Sequence, residues 1–452
     1  MRVTIVGTGY VGLTTGLTLG YIGHDVTCVD ANPEKLRLLR SGKSPIHEYG
    51  MDELLQLLRD GVVFTDDLRG AVGEADVILI AVGTPPKPNG EADVSQVESA
   101  AATLAEGLQN GRRYTLVVKS TVPIGTNRRV EHIVRQALKN RGVAAELFMA
   151  SNPEFLREGR ALADSFYPDR VLVGAASEHA MDAMYHLYKP LLDQSFTPPS
   201  FLKRPDDYRL PRYITTDATS AEVSKYACNA FLATKISFIN EMGGLCERVG
   251  ADITQVARVM GLDHRIGPHF LNAGLGWGGS CFPKDTKALM AMAGEYSYQM
   301  PIIEAACEVN QRQRRAVVEK LQTALKLLRG QTIVVLGLAF KPDTDDVRES
   351  ASMDLVRLLV ERGAVVRAHD PVGLDNARPE LDALGVESAA DVYELARGAD
   401  ALLLATEWAQ YARLDLRRLA GEMRTRVLVD ARNFFRAQDA RAAGLEYFGV
   451  GR

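Results

Sequence analysis

The stretch Gly274-Leu275-Gly276-Trp277-Gly278-Gly279-Ser280-Cys281-Phe282-Pro283-Lys284-Asp285 places a thiol, a cation and a carboxylate within five positions. Cysteine attacks as the thiolate, a form that a neighbouring cation such as Lys284 favours. Once sulfur has added to a carbonyl, an acid or base such as Asp285 is needed to manage the proton. Four glycines in six positions strip the run of side chains, so a ligand or another backbone can approach closely. Pro283 stops that run from continuing as a helix. The competing reading is a glycine-rich turn beside an inert cysteine, since free Cys packs as a small hydrophobe. The surrounding elements must decide between them.

The first of these elements is Val3-Thr4-Ile5-Val6-Gly7-Thr8-Gly9-Tyr10-Val11-Gly12, followed by a helical pattern to about Gly23. A strand, Val26-Thr27-Cys28-Val29, then ends in Asp30, 18 residues past Gly12. Strand, G-x-G-x-x-G turn, helix, strand and acid come in the order of a dinucleotide-binding unit. The pyrophosphate would sit at the helix N-terminus, where free N–H groups favour negative charge. Asp30 would accept from ribose hydroxyls and repel a 2′-phosphate, which points to NAD rather than NADP. Lys35 is near enough to reach the adenosine end, or is a solvated surface lysine. The strands Val77–Val82 and Thr115–Lys119 run into Gly83-Thr84-Pro85 and Ser120-Thr121-Val122-Pro123. Ligands in such sheets bind beyond the carboxyl ends of the strands, so Thr84 and Thr121 are candidates. A further run, Phe148–Ser151, leads into Asn152-Pro153-Glu154-Phe155-Leu156-Arg157-Glu158, where Glu154 and Glu158 would share a face if the segment is helical.

Residues 193–213, rich in Pro, Asp and Arg, read as an irregular connection. Thr219-Ser220-Ala221-Glu222 looks like a capping box opening a helix of roughly 30 residues to Val249. That helix is apolar around most of its circumference, which predicts burial between domains or subunits. Lys225 and Asn229 lie one turn apart on one of its faces. A shorter helix, Asp252–Met260, precedes the cysteine loop; His264 and His269 flank that turn as structural residues. After a helix at about 302–328, the strands Thr332–Gly337, Val365–Asp370, Ala401–Ala405 and Val427–Asp430 build another α/β domain. It has Gly337 without the full glycine triplet, so it reads as a nucleotide binder without being a second NAD site.

At 452 residues, two or three domains are expected, and 46% hydrophobic with 24% charged residues allows a sizeable core. A formal charge of −4 argues against nucleic acid as a partner. No apolar run approaches the length of a membrane span. The N-terminus enters a strand with no signal-peptide pattern before it. Five cysteines without metal-ligand spacing predict neither a disulfide framework nor a metal site, and a reducing cytoplasm fits best.

The glycine turn, Asn152-Pro153-Glu154-Phe155-Leu156-x-Glu158, Ser224-Lys225-x-x-x-Asn229 and Phe270 through Asp285 together resemble the UDP-glucose/GDP-mannose dehydrogenase family. Ala339-Phe340-Lys341 and Asp346-Val347-Arg348-Glu349-Ser350 extend the resemblance over nearly the whole chain. It implies an α/β fold of two Rossmann-like doubly wound domains joined by a long central helix and a helical dimerisation region. The expected boundaries are 1–213 for NAD, 214–328 for the helical part and 329–452 for the UDP-binding part. The resemblance implies an NAD-dependent four-electron oxidation of the UDP-glucose C6 alcohol, with GDP-mannose or a UDP-N-acetylhexosamine as alternative substrates.

In that chemistry Cys281 forms a thiohemiacetal and then a thioester. Lys225 and Asn229 match residues that stabilise the oxyanion. Asp285, Thr121 and Glu154 match residues around the hydrolytic water. Gly7, Gly9, Tyr10, Val11, Gly12, Asp30, Lys35, Thr84, Thr121, Glu158, Lys284 and Arg348 match NAD contacts. Glu154, Phe155, Leu156, Arg157, Lys225, Asn229, Phe270, Leu271, Asn272, Ala273, Gly274, Gly278, Lys341 and Arg432 match the nucleotide-sugar site. Arg265 matches an arginine supplied by a neighbouring subunit, so a homodimer or larger assembly is implied. Trp277 stands where the family usually has a smaller aromatic, and the 193–213 connection is somewhat elongated. Two rivals remain: a two-electron hydroxy-acid dehydrogenase, which leaves Cys281 and the last domain idle, and a non-catalytic NAD-binding regulatory protein.

Overall fold

Strand β1 (Arg2–Val6) is buried at four of its five positions and lies between β2 (Asp25–Val29) and β4 (Val77–Ile80), parallel to both. This computed structural model describes all 452 residues, and the chain divides into two compact units, residues 1–227 and 228–452. In the first unit β3 (Val62–Thr65), β5 (Arg113–Val118), β6 (Glu146–Ser151), β7 (Arg170–Gly174) and β8 (Arg212–Thr216) complete an eight-stranded sheet, ordered β3-β2-β1-β4-β5-β6-β7-β8. The first six follow the dinucleotide-binding order 3-2-1-4-5-6. β7 joins β6 antiparallel and β8 continues beside β7. Both faces of the sheet are covered: along β4, Val77 and Leu79 pack into one core and Ile78 and Ile80 into the other. A central parallel strand therefore reads as an unbroken apolar run.

The second unit repeats the order with β9 (Thr332–Leu336), β10 (Val365–His369), β11 (Glu387–Ser388), β12 (Ala401–Leu404), β13 (Val427–Asp430) and β14 (Glu446–Gly449), arranged β11-β10-β9-β12-β13-β14. β12 again divides its side chains, Ala401 and Leu403 to one core, Leu402 and Leu404 to the other. The two Rossmann-like sheets of the expected fold class are thus present.

Three local expectations are corrected. Residues 152–158 are a turn rather than a helix, the next helix being Ala161–Phe166. The Glu154 Oε2 carboxylate accepts from the Leu156 amide at 2.5 Å, a local bond that competes with helical pairing, so Glu154 and Glu158 share no helix face. The long helix, Ala218–Val249, is capped by Asp217, which accepts from Ser220 N at 2.8 Å. Glu222 does not fold back as a capping box requires; it accepts from the amides of Gly125 and Asn127 at 2.7 and 2.9 Å, at the start of the helix Thr126–Arg141. Pro283 lies in the first turn of a helix, Phe282–Glu295, rather than ending one. Proline is tolerated there because the first N–H groups have no intrahelical partner.

Candidate active site

In the first unit the turn after β1 is fixed by close approach. A Cβ on Gly12 would stand 1.9 Å from the Gly7 carbonyl oxygen, so any larger residue would force the helix Tyr10–Tyr21 off the turn. Gly9 is different: its φ of −75° suits any residue, and a Cβ there would meet nothing within 4 Å. The chain itself does not require glycine at this point, whereas a pyrophosphate passing over the helix N-terminus does. The residues therefore fit a bound dinucleotide. Asp30 Oδ2 accepts from Thr8 N and Oγ1 at 2.9 and 2.6 Å, and Oδ1 accepts from Asn32 N at 2.9 Å. Burial alone would raise the Asp30 carboxyl, but these bonds and Lys35, 3.9 Å away, hold it below the usual range. One Oδ1 lone pair is left for a ribose hydroxyl. Tyr10 donates to His47 O at 3.0 Å and Thr84 Oγ1 to Thr121 O at 2.8 Å, so the loops after β4 and β5 are tied together.

The second Rossmann-like sheet carries the same acid, Asp370, but closes its capacity. Its oxygens accept from the amides of Leu338, Ala339, Val372 and Gly373 and from Trp408 Nε1, at 2.7 to 3.1 Å. Five donors saturate a carboxylate. A ribose would find no acceptor there, whereas Asp30 keeps one.

Lys225, buried in the long helix, places Nζ 2.9 Å from Glu154 Oε1, which is buried as well. Burial pushes the Glu154 carboxyl up. The Lys225 charge and hydrogen bond, the Leu156 amide and Lys119 outweigh it and hold the group below the ordinary value. Phe155 packs between two cations, with Arg170 3.7 Å and Lys225 5.5 Å from its ring centroid. Arg157 is bound to Asp164 at 2.9 and 2.6 Å. Glu158 is half-buried in the same turn.

In the second unit Asn229, one turn along the long helix from Lys225, donates Nδ2 to Asp285 Oδ2 at 2.6 Å. Asp285 is 1% exposed and is also bonded by Lys284, which therefore pairs with this carboxylate. Cys281 is the N-cap of the 14-residue helix Phe282–Glu295, with Ser280 Oγ 3.6 Å from its sulfur. A helix N-terminus stabilises the charge of a thiolate, and Asp285 lies one turn along the same helix. The other cysteines lack that setting: Cys28 is buried and pushed up to about 12, Cys246 is buried, and burial raises the half-buried Cys307.

The glycines before Cys281 serve backbone contact. A Cβ on Gly278 would come within 2.2 Å of Glu349 O, and Gly274 N donates to Asn240 Oδ1 at 2.8 Å. Trp277 is buried, its Nε1 donating to Ser237 Oγ at 2.9 Å while Asn310 brackets its backbone through Trp277 N and O at 2.8 and 2.9 Å. The larger aromatic is thus fully accommodated. Leu271 and Ala273 are buried and Asn272 exposed, and Phe270 holds a left-handed φ of 63° with its ring 6.3 Å from Phe282. Arg432 donates to Ala405 O at 2.7 Å and pairs with Glu407 at 3.2 Å. Lys341 lies over the Phe340 ring at 5.5 Å. Arg348 is held by Asp346, and Arg265, largely exposed, by Asp263. Sequence reasoning missed Ser237 and Asn240 in the long helix, Asn310 in the helix Pro301–Leu325, and Lys119, the charge that follows an apolar strand.

Strand order, glycine turn and acid define a dinucleotide-dependent α/β protein, and the thiol at a helix N-terminus is its candidate nucleophile. The chain belongs to the UDP-glucose/GDP-mannose dehydrogenase family: its NAD binding domain matches residues 1–192, its central domain 219–312 and its UDP binding domain 334–437. It is accordingly an NAD-dependent oxidoreductase. A UDP-glucose 6-dehydrogenase of Rhizobium meliloti is 44% identical, with all of both chains covered. A UDP-glucose dehydrogenase of the archaeon Pyrobaculum islandicum superposes with a TM-score of 0.86 at 40% identity, covering 99% of this chain and 97% of that one. A UDP-D-ManNAc dehydrogenase of Pyrococcus horikoshii gives 0.84 at 26% identity, covering 100% and 99%.

Proposed function

We propose that this protein oxidises the C6 alcohol of UDP-glucose to the carboxylate, giving UDP-glucuronate in two NAD-linked steps without releasing the aldehyde. The observation that carries the reading is Cys281 at a helix N-terminus, one turn before a buried Asp285 already bonded to Asn229. Hydride transfer from an alcohol needs no covalent nucleophile, whereas oxidation of an aldehyde uses one well. NAD, when bound, takes up the hydride of each oxidation. Cys281 Sγ adds to the aldehyde carbon and the carbonyl oxygen becomes an oxyanion, to which Lys225 and the second N–H of Asn229 donate. Loss of hydride from that carbon leaves a thioester. Asp285 takes a proton from the attacking water, a step to which the family resemblance also assigns Thr121 and Glu154, and the C–S bond breaks to release the carboxylate and the thiolate. Gly9, Gly12, Asp30, Lys35 and Thr84 serve the cofactor, and Phe155, Arg157, the 270–274 loop, Lys341 and Arg432 the nucleotide sugar. The division into 1–213, 214–328 and 329–452 is retained in this reading.

UDP-glucose is preferred to an N-acetyl sugar because the relatives at 40 to 44% identity bear that name, while the UDP-D-ManNAc enzyme stands at 26%. Counting NADH formed per UDP-glucose consumed to completion tests the reading. Two are expected. One NADH with free aldehyde would overturn the covalent scheme, and two NADH from another nucleotide sugar alone would replace the substrate.

The reading includes a homodimer. Phe231, Phe238 and Leu245 recur every seventh residue along the long helix and are 64, 47 and 50% exposed. A heptad stripe of this kind is the seam of paired helices, and Val259 and Leu262 on the next helix are more exposed still. Sedimentation velocity should show a dimer or larger species that Phe231→Glu with Phe238→Glu dissociates; a monomeric wild type would sink the assignment. No helix is long and apolar enough to cross a membrane, and five cysteines outside any disulfide fit the cytoplasm as the proposed location.

A further inference from the structure

Lys119 follows directly on β5 and is 6% exposed. Its ammonium donates to Asn152 Oδ1 at 3.0 Å and to Tyr188 OH at 3.3 Å. Both partners are neutral, since burial keeps the Tyr188 phenol protonated. Tyr188 in turn donates to Asn152 Oδ1 at 2.7 Å, and Asn152 Nδ2 to Leu172 O at 2.8 Å. Asn152 is thereby locked, and it opens the turn that carries Glu154 two residues later. Burying an ammonium against neutral partners is costly, and an apolar side chain of similar length would fill the same space without that cost. The charge therefore needs an explanation beyond packing.

We propose that Lys119 is a positioning residue, the fixed counter-charge that keeps Glu154 ionised while Lys225 is engaged with the substrate oxygen. This rests on the roles given above to Lys225 and Glu154. Lys119, Asn152, Glu154, Phe155 and Tyr188 line one cavity of about 570 Å³ in the first unit. In the resting pair Lys225 holds the carboxylate by contact. When Lys225 turns to an oxyanion, burial favours protonation of Glu154. Lys119 cannot turn away, because Asn152 and Tyr188 fix its ammonium. The charges that act on it are Glu154 from the turn and Lys225 from the long helix; Arg157, Arg160, Asp164, Asp169, Arg170, Asp207, Arg209 and Arg212 line the same cavity, and Thr15 and Thr18 face it uncharged from the first helix. Burial lowers Lys119 to about 8, with Glu154 pulling it up and Lys225 down, and the Lys119 charge lowers Glu154 in return.

The test reads Glu154 directly by carbon-13 NMR of glutamate labelled at the carboxyl, assigned with Glu154→Gln. Lys119→Met and Lys119→Gln should move the Glu154 titration up by about one unit or more, and Lys119→Arg should leave it near the wild-type position. The acid limb of the kcat profile for the nucleotide sugar should be displaced upward by the same amount, so that kcat falls about tenfold on that limb while the KM for NAD is unchanged. An unmoved Glu154 signal, whatever happens to the melting temperature, overturns the proposal. Should neither neutral variant fold, the wild type decides. Its Glu154 signal should show a second inflection near pH 8 as Lys119 loses its proton, and a flat signal there overturns the proposal equally. The carboxyl is read with or without turnover, so absence of turnover on every nucleotide sugar would sink the proposed function and leave this readout intact.

Discussion

Cys281→Ser is expected to cut formation of the sugar acid by at least about a thousandfold, the scale on which an enzyme loses a reactive nucleophile. The fold should not suffer. Cys281 is the N-cap of the helix Phe282–Glu295 and its side chain makes no capping hydrogen bond, whereas serine is among the preferred residues at that position. The melting temperature should therefore hold or rise slightly, which separates chemistry from stability in one variant. Serine adds to the aldehyde poorly and leaves an oxygen ester that hydrolyses more slowly than a thioester, so a covalent adduct visible by intact mass is the expected residue of the reaction. Cys281→Ala removes the nucleophile altogether and should stop oxidation after the first hydride, giving one NADH per sugar in place of two. Two NADH from the alanine variant at an undiminished rate would make Cys281 a packing residue and move the second oxidation to the aldehyde hydrate, without a covalent intermediate.

The parts of the site legible in the sequence were those whose function depends on neighbours in the chain. Gly7, Gly9, Gly12 and Asp30 stand at intervals set by one strand, one turn and one helix, and their geometry follows once those elements form. Cys281 and Asp285 sit four apart, so their shared helix was within reach too, but Pro283 was read as a stop when it marks a first turn. The same ambiguity affects Thr219-x-x-Glu222, where a glutamate three residues on suggested a capping box and the tertiary fold instead gave Glu222 to the amides of Gly125 and Asn127. What spacing could not show is long-range pairing. Glu154 and Lys225 are 71 positions apart, and Lys119 meets Asn152 and Tyr188 only because adjacent strands and a covering helix bring them together. A lysine ending the apolar run Thr115–Val118 was the available signal. The long helix, apolar around most of its circumference, predicted burial between domains or subunits; the Phe231, Phe238 and Leu245 stripe is exposed on this chain, and the proposed dimer would cover it.

Lys225→Met should cost both turnover and stability, and the double variant with Glu154→Gln should return only the second. Removing Lys225 leaves the buried Glu154 carboxylate without its contact partner, a change worth about 3–5 kcal/mol in comparable buried pairs. Replacing Glu154 by glutamine as well removes the stranded charge and keeps the shape, so most of that loss should be recovered in denaturant unfolding. Turnover should stay at the Lys225→Met level, because the missing donor to the oxyanion is not restored. The pH dependence gives a further check on sign. In the wild type the folded Glu154 lies below its unfolded value, so its contribution is present above the unfolded pKa and is lost as pH falls through the folded one. In Lys225→Met burial acts with less opposition and the folded value rises above the unfolded one. The penalty should then be largest at pH 8 and shrink as acid protonates Glu154, the reverse of the wild-type trend. A penalty independent of pH, or one that Glu154→Gln fails to relieve, would place the role of Lys225 in packing of the long helix rather than in the charge it shares with Glu154.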